Sequence, residues 1–126
     1  MDRILLVEDE KETAEMIANF LRRRAYIVDI VHTLPEGMEK FSREHRLVLL
    51  DIVLEGETSF ALLEKIKEES PQTAVIMVSA YDNDANIKEA KRLGADGFIH
   101  KPFKNEHLEH LLLSKIHSFE KRQTEE

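Results

Sequence analysis

At 126 residues, 42% hydrophobic and 34% charged, the chain has the size and balance of one globular domain able to bury a core. It has no cysteine, which excludes a disulfide framework, a thiolate zinc site and a cysteine nucleophile and fits a reducing cytoplasm, the expected location. The formal charge of −7 speaks against nucleic acid as a direct partner, and no apolar run is long enough to span a membrane or is laid out as a signal peptide.

Ile4-Leu5-Leu6-Val7 is a short, wholly apolar run of the kind buried on both faces of a parallel sheet. The apolar spacing then lengthens, and Met16, Ile17, Phe20 and Leu21 stripe one face of a helix. That helix ends in Arg22-Arg23-Arg24, where positive charge complements the dipole, so these arginines need no nucleic-acid role. Tyr26 to Val31 reads as a second strand, and Asp29 within it points to a sheet edge. Thr33-Leu34-Pro35-Glu36 opens a helix, with a Thr cap, Pro in the first turn and Glu three residues on.

Leu47-Val48-Leu49-Leu50 is a third strand. Phe60, Leu62, Leu63 and Ile66 support a third helix, closed at Ser70-Pro71. Ala74 to Val78 is a fourth apolar strand, Ile87, Ala90 and Leu93 mark a short helix stopped by Gly94, and Gly97 to His100 is the last strand. Leu108, Leu111, Leu112, Ile116 and Phe119 support a long final helix. Five strands alternating with five helices predict an α/β domain with a parallel sheet, right-handed crossovers and helices on both faces. We place it at residues 1–120, with 121–126 as a solvated tail or the start of a linker.

In such a sheet, chemistry sits beyond the carboxyl ends of the strands. The first strand ends in Glu8-Asp9, the third in Asp51 and the fourth in Ser79, and the fifth leads to Lys101. Each has a bland explanation: Asp9 could cap the first helix with Glu12 in a capping box, Ser79 could be a turn residue and Lys101 a solvated charge. Their conjunction on one edge is what points to a site. Three converging carboxylates repel each other, so they either raise a pKa or bind a cation. Oxygen donors without histidine or thiolate favour magnesium, or manganese, over zinc or copper. With a lysine and a hydroxyl opposite, the set can hold a phosphoryl group, with Asp51 as nucleophile.

Ile4 to Glu10, Asp51 closing its apolar run, the Val78-Ser79-Ala80 turn and the stretch from Gly94-Ala95-Asp96-Gly97-Phe98 to Lys101-Pro102-Phe103 together resemble the receiver domain of two-component response regulators, of chemotaxis-regulator type. The resemblance spans nearly the whole chain in order and spacing. It implies a flavodoxin-like doubly wound sheet in the order 2-1-3-4-5. It implies Asp51 as phosphoryl acceptor, with Asp9 and Asp51 as direct magnesium ligands, Glu8 acting through water and Val53 through its backbone carbonyl. Ser79 and Lys101 would each hold a phosphoryl oxygen, the Lys101-Pro102 bond would be cis, and Ser79 with Phe98 would form the switch. The surface of the fourth helix, fifth strand and fifth helix would then change partners. The implied phosphoryl donor is a sensor histidine kinase or phosphotransfer protein, docking on the first helix and near Phe103; a homodimer through the switching surface is a further expectation.

The chain departs from the family pattern after Asp51. Glu55 stands where proline is common, and Thr58-Ser59 where Asp-Gly is common. Gly56 is expected to supply the turn and Ser59 to cap the third helix. Val53 and Tyr81 occupy the two positions that tune acyl-phosphate hydrolysis in the family, and neither carries an acid or amide, so slow self-dephosphorylation is expected.

Rival readings are an aspartate-nucleophile phosphatase, a flavodoxin-type nucleotide binder and a pseudo-receiver that only makes protein contacts. Val53 removes the second acid that the phosphatase needs, and Glu8-Asp9-Glu10 would repel a bound phosphate at the first loop. His107, His110 and His117 share a helical face, read as solvated rather than metal-binding, and His100 as a tolerated strand-end residue. The far side of the last helix, around Phe119, is read as a dimer or linker seam.

Overall fold

The computed structural model describes residues 2–80 and 84–125, with side chains as far as residue 115. The elements are β1 (Arg3–Val7), α1 (Lys11–Arg22), β2 (Ile27–Val31), α2 (Leu34–Lys40), β3 (His45–Asp51), α3 (Phe60–Glu69), β4 (Ala74–Ser79), α4 (Asp84–Arg92), β5 (Gly97–His100) and α5 (Asn105–Glu125). Between β3 and α3, Val53–Leu54 and Glu57–Thr58 form a small antiparallel hairpin. The five long strands make one parallel sheet in the order β2-β1-β3-β4-β5.

Alternation along each strand divides the core in two. Ile4 and Leu6 of β1 with Leu47 and Leu49 of β3 face Ile17, Phe20 and Leu21 of α1 and Leu108 and Leu112 of α5. Leu5, Val7, Val48 and Leu50 face the other way, against Leu62, Leu63 and Ile66 of α3 and Ala90 of α4. Both faces of β1, β3 and β4 are therefore covered, which is why their sequences are unbroken apolar runs.

The edge position of β2 agrees with the expectation from Asp29. That carboxylate turns inward and accepts from Arg3 Nη1 at 3.1 and 3.0 Å and from His45 Nε2 at 2.8 Å. The Ser42 N–H donates to His45 Nδ1 at 3.1 Å, so the imidazole proton sits on Nε2 and points at Asp29. Burial opposes ionisation of Asp29, but the hydrogen bonds from His45 and Arg3 outweigh it and hold the carboxyl below its ordinary range.

Next to it, Thr73 Oγ1 donates to the His45 carbonyl and receives the Ser70 hydroxyl, while Lys67 joins the Thr73 carbonyl to Asp96. Among the described residues no buried side-chain nitrogen or oxygen lacks a partner.

Two boundaries differ from the sequence expectation. β2 begins at Ile27 rather than Tyr26, and β3 begins at His45, two residues before its apolar run. α2 starts as expected, with Thr33 Oγ1 accepting the Glu36 N–H. The Glu36 carboxylate, however, accepts from the His32 amide, one residue outside a standard capping box. Gly94 ends α4 at φ 101°, a conformation only glycine adopts freely. α5 runs on through Glu125, so the segment expected as a tail is helical. Ile116, His117 and Phe119 have side chains outside the described residues, and so does the seam expected there.

Candidate functional site

The carboxyl ends of β1, β3, β4 and β5 deliver Glu8 and Asp9, Asp51, Ser79 and Lys101 to one edge of the sheet, as the strand pattern predicts. A pocket of about 350 Å³ opens there, and its walls include Asp9, Asp51, Val53, Ser79 and Lys101. The backbone beneath is tied strand to strand, with Ile52 N–H on the Val78 carbonyl (3.0 Å) and Lys101 N–H on the Ser79 carbonyl (2.8 Å). The Lys101-Pro102 peptide is cis.

Lys101 is the only cation lining this pocket among the described residues, and it bridges two acids. Its Nζ lies 3.0 Å from Asp51 Oδ2 and also pairs with Glu8 Oε1. The other oxygen of Asp51 accepts the Val53 N–H at 3.3 Å, and the other oxygen of Glu8 accepts the Glu10 N–H at 3.2 Å. Burial nevertheless pushes both carboxyls above their ordinary range, and neither Lys101 nor the amides fully offset it. Burial works against the Lys101 ammonium as well, but Glu8 and Asp51 more than compensate and raise it.

Asp9 differs from its neighbours. Burial again favours its neutral form, but the Glu55 N–H at 2.9 Å, together with Glu8, brings it below the ordinary range. It therefore does not cap α1: that helix begins after Glu10 with no side-chain cap bond. Asp9 instead reaches across to the hairpin, whose turn residues Glu55 and Gly56 have φ of 49° and 82°. Both are left-handed, the pattern of a tight mirror-image hairpin turn, so Gly56 supplies the expected bend but shares it with a non-glycine residue.

Ser59 stands before α3 but makes no cap bond there. Its hydroxyl donates to the Asp51 carbonyl at 2.6 Å and its N–H to the Ile52 carbonyl at 2.8 Å, locking the loop after Asp51 from below.

The carboxylate oxygens of Glu8, Asp9 and Glu10 lie within 4.8 Å of one another. With Asp51 in the same pocket and no histidine or thiolate lining it among the described residues, the donor set suits a hard, oxygen-seeking divalent cation. Glu10 was not singled out in the sequence, although three consecutive acids were the signal. Asn86, in the first turn of α4, also lines the pocket, and no motif pointed to it. Tyr81 lies outside the described residues. Phe98 packs with the α3 and α4 side of the core, and Lys91 Nζ of α4 sits 5.8 Å from its ring centroid. His107 and His110 are exposed, and the acidic group above is the only cluster of possible ligands among the described residues.

The sequence model of the response regulator receiver domain matches residues 4–113. The chain belongs to that family. The receiver is 35% identical over 107 residues to the transcriptional regulatory protein DltR of Streptococcus agalactiae, a match covering 84% of this chain and 48% of DltR. It is 31% identical over 119 residues to a cyclic di-GMP phosphodiesterase of Thermotoga maritima, covering 94% of this chain and 31% of that enzyme. This receiver thus spans about half or less of the curated relatives it matches. Among solved structures, the CheY-like receiver domain protein of Methanospirillum hungatei superposes with a TM-score of 0.88 at 28% identity, covering 97% of this chain and 98% of that one. The five-stranded sheet is the same fold, and signalling through a two-component system is the family's role. No helix among the described residues is long and apolar enough to cross a membrane.

Proposed function

We propose that this receiver takes a phosphoryl group onto Asp51 from a phosphohistidine of a sensor kinase or phosphotransfer protein. The observation that carries the reading is Asp51 itself: a nearly buried carboxylate at a strand end, held by Lys101, in the pocket that Ser79 and Asp9 also line. An Asp51 carboxylate oxygen bonds to phosphorus while the bond from phosphorus to the donor imidazole nitrogen breaks, leaving a neutral imidazole once that nitrogen takes a proton. Lys101 shifts from the carboxylate to a phosphoryl oxygen, and Ser79 donates its hydroxyl to another. Asp9, Asp51 and the Val53 carbonyl would hold magnesium or manganese, with Glu8 acting through water. When bound, that ion neutralises charge on the transferring group.

Movement of the Ser79 hydroxyl would draw the Phe98 ring inward and remodel the surface of α4, β5 and α5, which serves partner binding or a homodimer. The donor protein docks on α1, where Met16 is 57% exposed, and on the loop near Phe103. Residues 1–120 form the functional unit, acting in the cytoplasm, and catalysis is confined to its own phosphorylation and slow dephosphorylation.

Incubation with acetyl phosphate and magnesium, read by intact mass, tests this. The wild type gains one phosphoryl increment, while Asp51→Ala, or omission of magnesium, abolishes it. No increment in the wild type would support the pseudo-receiver instead.

A further inference from the structure

Among the described residues, the pocket wall holds one neutral polar side chain that phosphoryl transfer leaves without a task. Asn86 is half-buried in the first turn of α4 and lines the same space as Asp51, Val53 and Ser79. It carries the one carboxamide among the described lining residues. Lys101, held by Glu8 and Asp51, and Asp9, held by the Glu55 amide, each have their own part in phosphoryl transfer. Val53, on the acceptor loop, is aliphatic and offers a water no side-chain hydrogen bond.

We infer that Asn86 orients the water that hydrolyses the aspartyl phosphate. The inference rests on Asp51 being the phosphoryl acceptor. In that step the water oxygen bonds to phosphorus, and the bond between phosphorus and the Asp51 oxygen breaks. Its electron pair returns to Asp51 as carboxylate, and the water protons leave with inorganic phosphate or pass to solvent. An amide suits the role because its oxygen accepts from water without adding a negative charge beside the phosphoryl oxygens. The exposed rim carboxylate of Glu55 would repel them. Since Asn86 belongs to α4 and not to the acceptor loop, the lifetime of the signal depends on where the first turn of α4 sits. A partner that grips α4 would therefore lengthen or shorten that lifetime without touching Asp51.

The test uses wild type, Asn86→Ala and Asn86→Asp, each loaded with acetyl phosphate and magnesium, desalted, and followed by intact mass for loss of the phosphoryl increment. A positioned proton acceptor contributes about 10²- to 10⁴-fold and a merely orienting amide less, so Asn86→Ala is expected to slow the loss by about three- to tenfold. Asn86→Asp keeps an accepting oxygen but adds a negative charge beside the phosphoryl oxygens, so its loss is expected to be faster than that of Asn86→Ala and slower than that of wild type. Circular dichroism reports whether each variant is folded. Loss from Asn86→Ala within about twofold of wild type, or Asn86→Asp as slow as Asn86→Ala, overturns the inference. A wild type that never loads overturns the acceptor reading of Asp51 and this inference with it. A wild type that loads and ignores both substitutions removes Asn86 alone.

Discussion

The two ends of the sheet hold charge in opposite ways. At the amino end, Asp29 meets Arg3 and a correctly protonated His45, and its carboxyl is held below the ordinary range. At the carboxyl end, Glu8 and Asp51 share one Lys101, and burial pushes both above it. The first end is settled in the folded chain, and its ionised groups favour folding. The second is under-compensated, so the folded chain is improved by anything that supplies positive charge or removes a carboxylate. Fold stability and function are thus kept at opposite ends of the same strands.

The sharpest way to break the contrast is Asp51→Asn. It removes the proposed nucleophile and should reduce loading by acetyl phosphate to background in an intact-mass assay. The same variant should be more stable than wild type. Asp51 has a folded pKa above its unfolded one, so its ionised form costs stability as pH rises past that value. A gain of about 1 kcal/mol would lift Tm by about 4 °C in a domain of this size, measurable by thermal denaturation without added metal.

His45→Ala attacks the other end. It leaves Asp29 with Arg3 alone, strands the Ser42 amide and empties the space beside Phe41, whose ring stacks on the imidazole at 5.9 Å between centroids. We expect a loss of about 2–4 kcal/mol in urea unfolding, with Asp51 still loaded at temperatures where the variant is folded.

Acid separates the ends more gently. Asp29 has a folded pKa below its unfolded one, so its contribution is complete above an ordinary carboxyl pKa of about 4 and is lost as pH falls through the folded value. The stability gap between wild type and Asp29→Asn should therefore be constant from neutral pH to about 5 and shrink below about 4. A gap that widened in acid would show that the sign is wrong.

The smallest effect belongs to neither end. Arg24 pairs with Glu109 of α5 at 2.9 Å and lies 3.8 Å above the Phe20 ring, but the pair is more than a third exposed. Arg24→Ala should cost no more than about 1 kcal/mol, and less in high salt.

The carboxyl end was far more legible in the sequence than the amino end. Apolar runs revealed the buried strands because both faces of β1, β3 and β4 are covered, and the runs stop at Glu8, Asp51 and Ser79, the polar residues of the site edge. Asp29 announced an edge strand because a central one could not accommodate it. The partners of Asp29 were invisible, since Arg3 and His45 are separated from it by 26 and 16 residues and only strand register joins them. The hairpin after β3 is too short to have a period, and its left-handed Glu55 contradicts local preference, so only Gly56 was readable. Ser59 had the right identity for a cap and was drawn instead to a nearby carbonyl, a choice decided by tertiary approach. Glu10 and Asn86 reach the pocket through the geometry of the loop after β1 and the first turn of α4, which spacing alone does not express.

Asp29 has one more consequence, for molecules that meet rather than for one that folds. The middle of this sheet is built from strands with long apolar runs, the kind most prone to stacking into fibrils, and among the described residues no strand pairs with the outer edge of β2 or β5. β5 offers only four residues, ending in an exposed histidine. β2 offers five, but a strand adding to it would have to pack against a carboxylate already committed to Arg3 and His45. The bond that steadies the fold from within therefore also discourages neighbouring copies from extending the sheet.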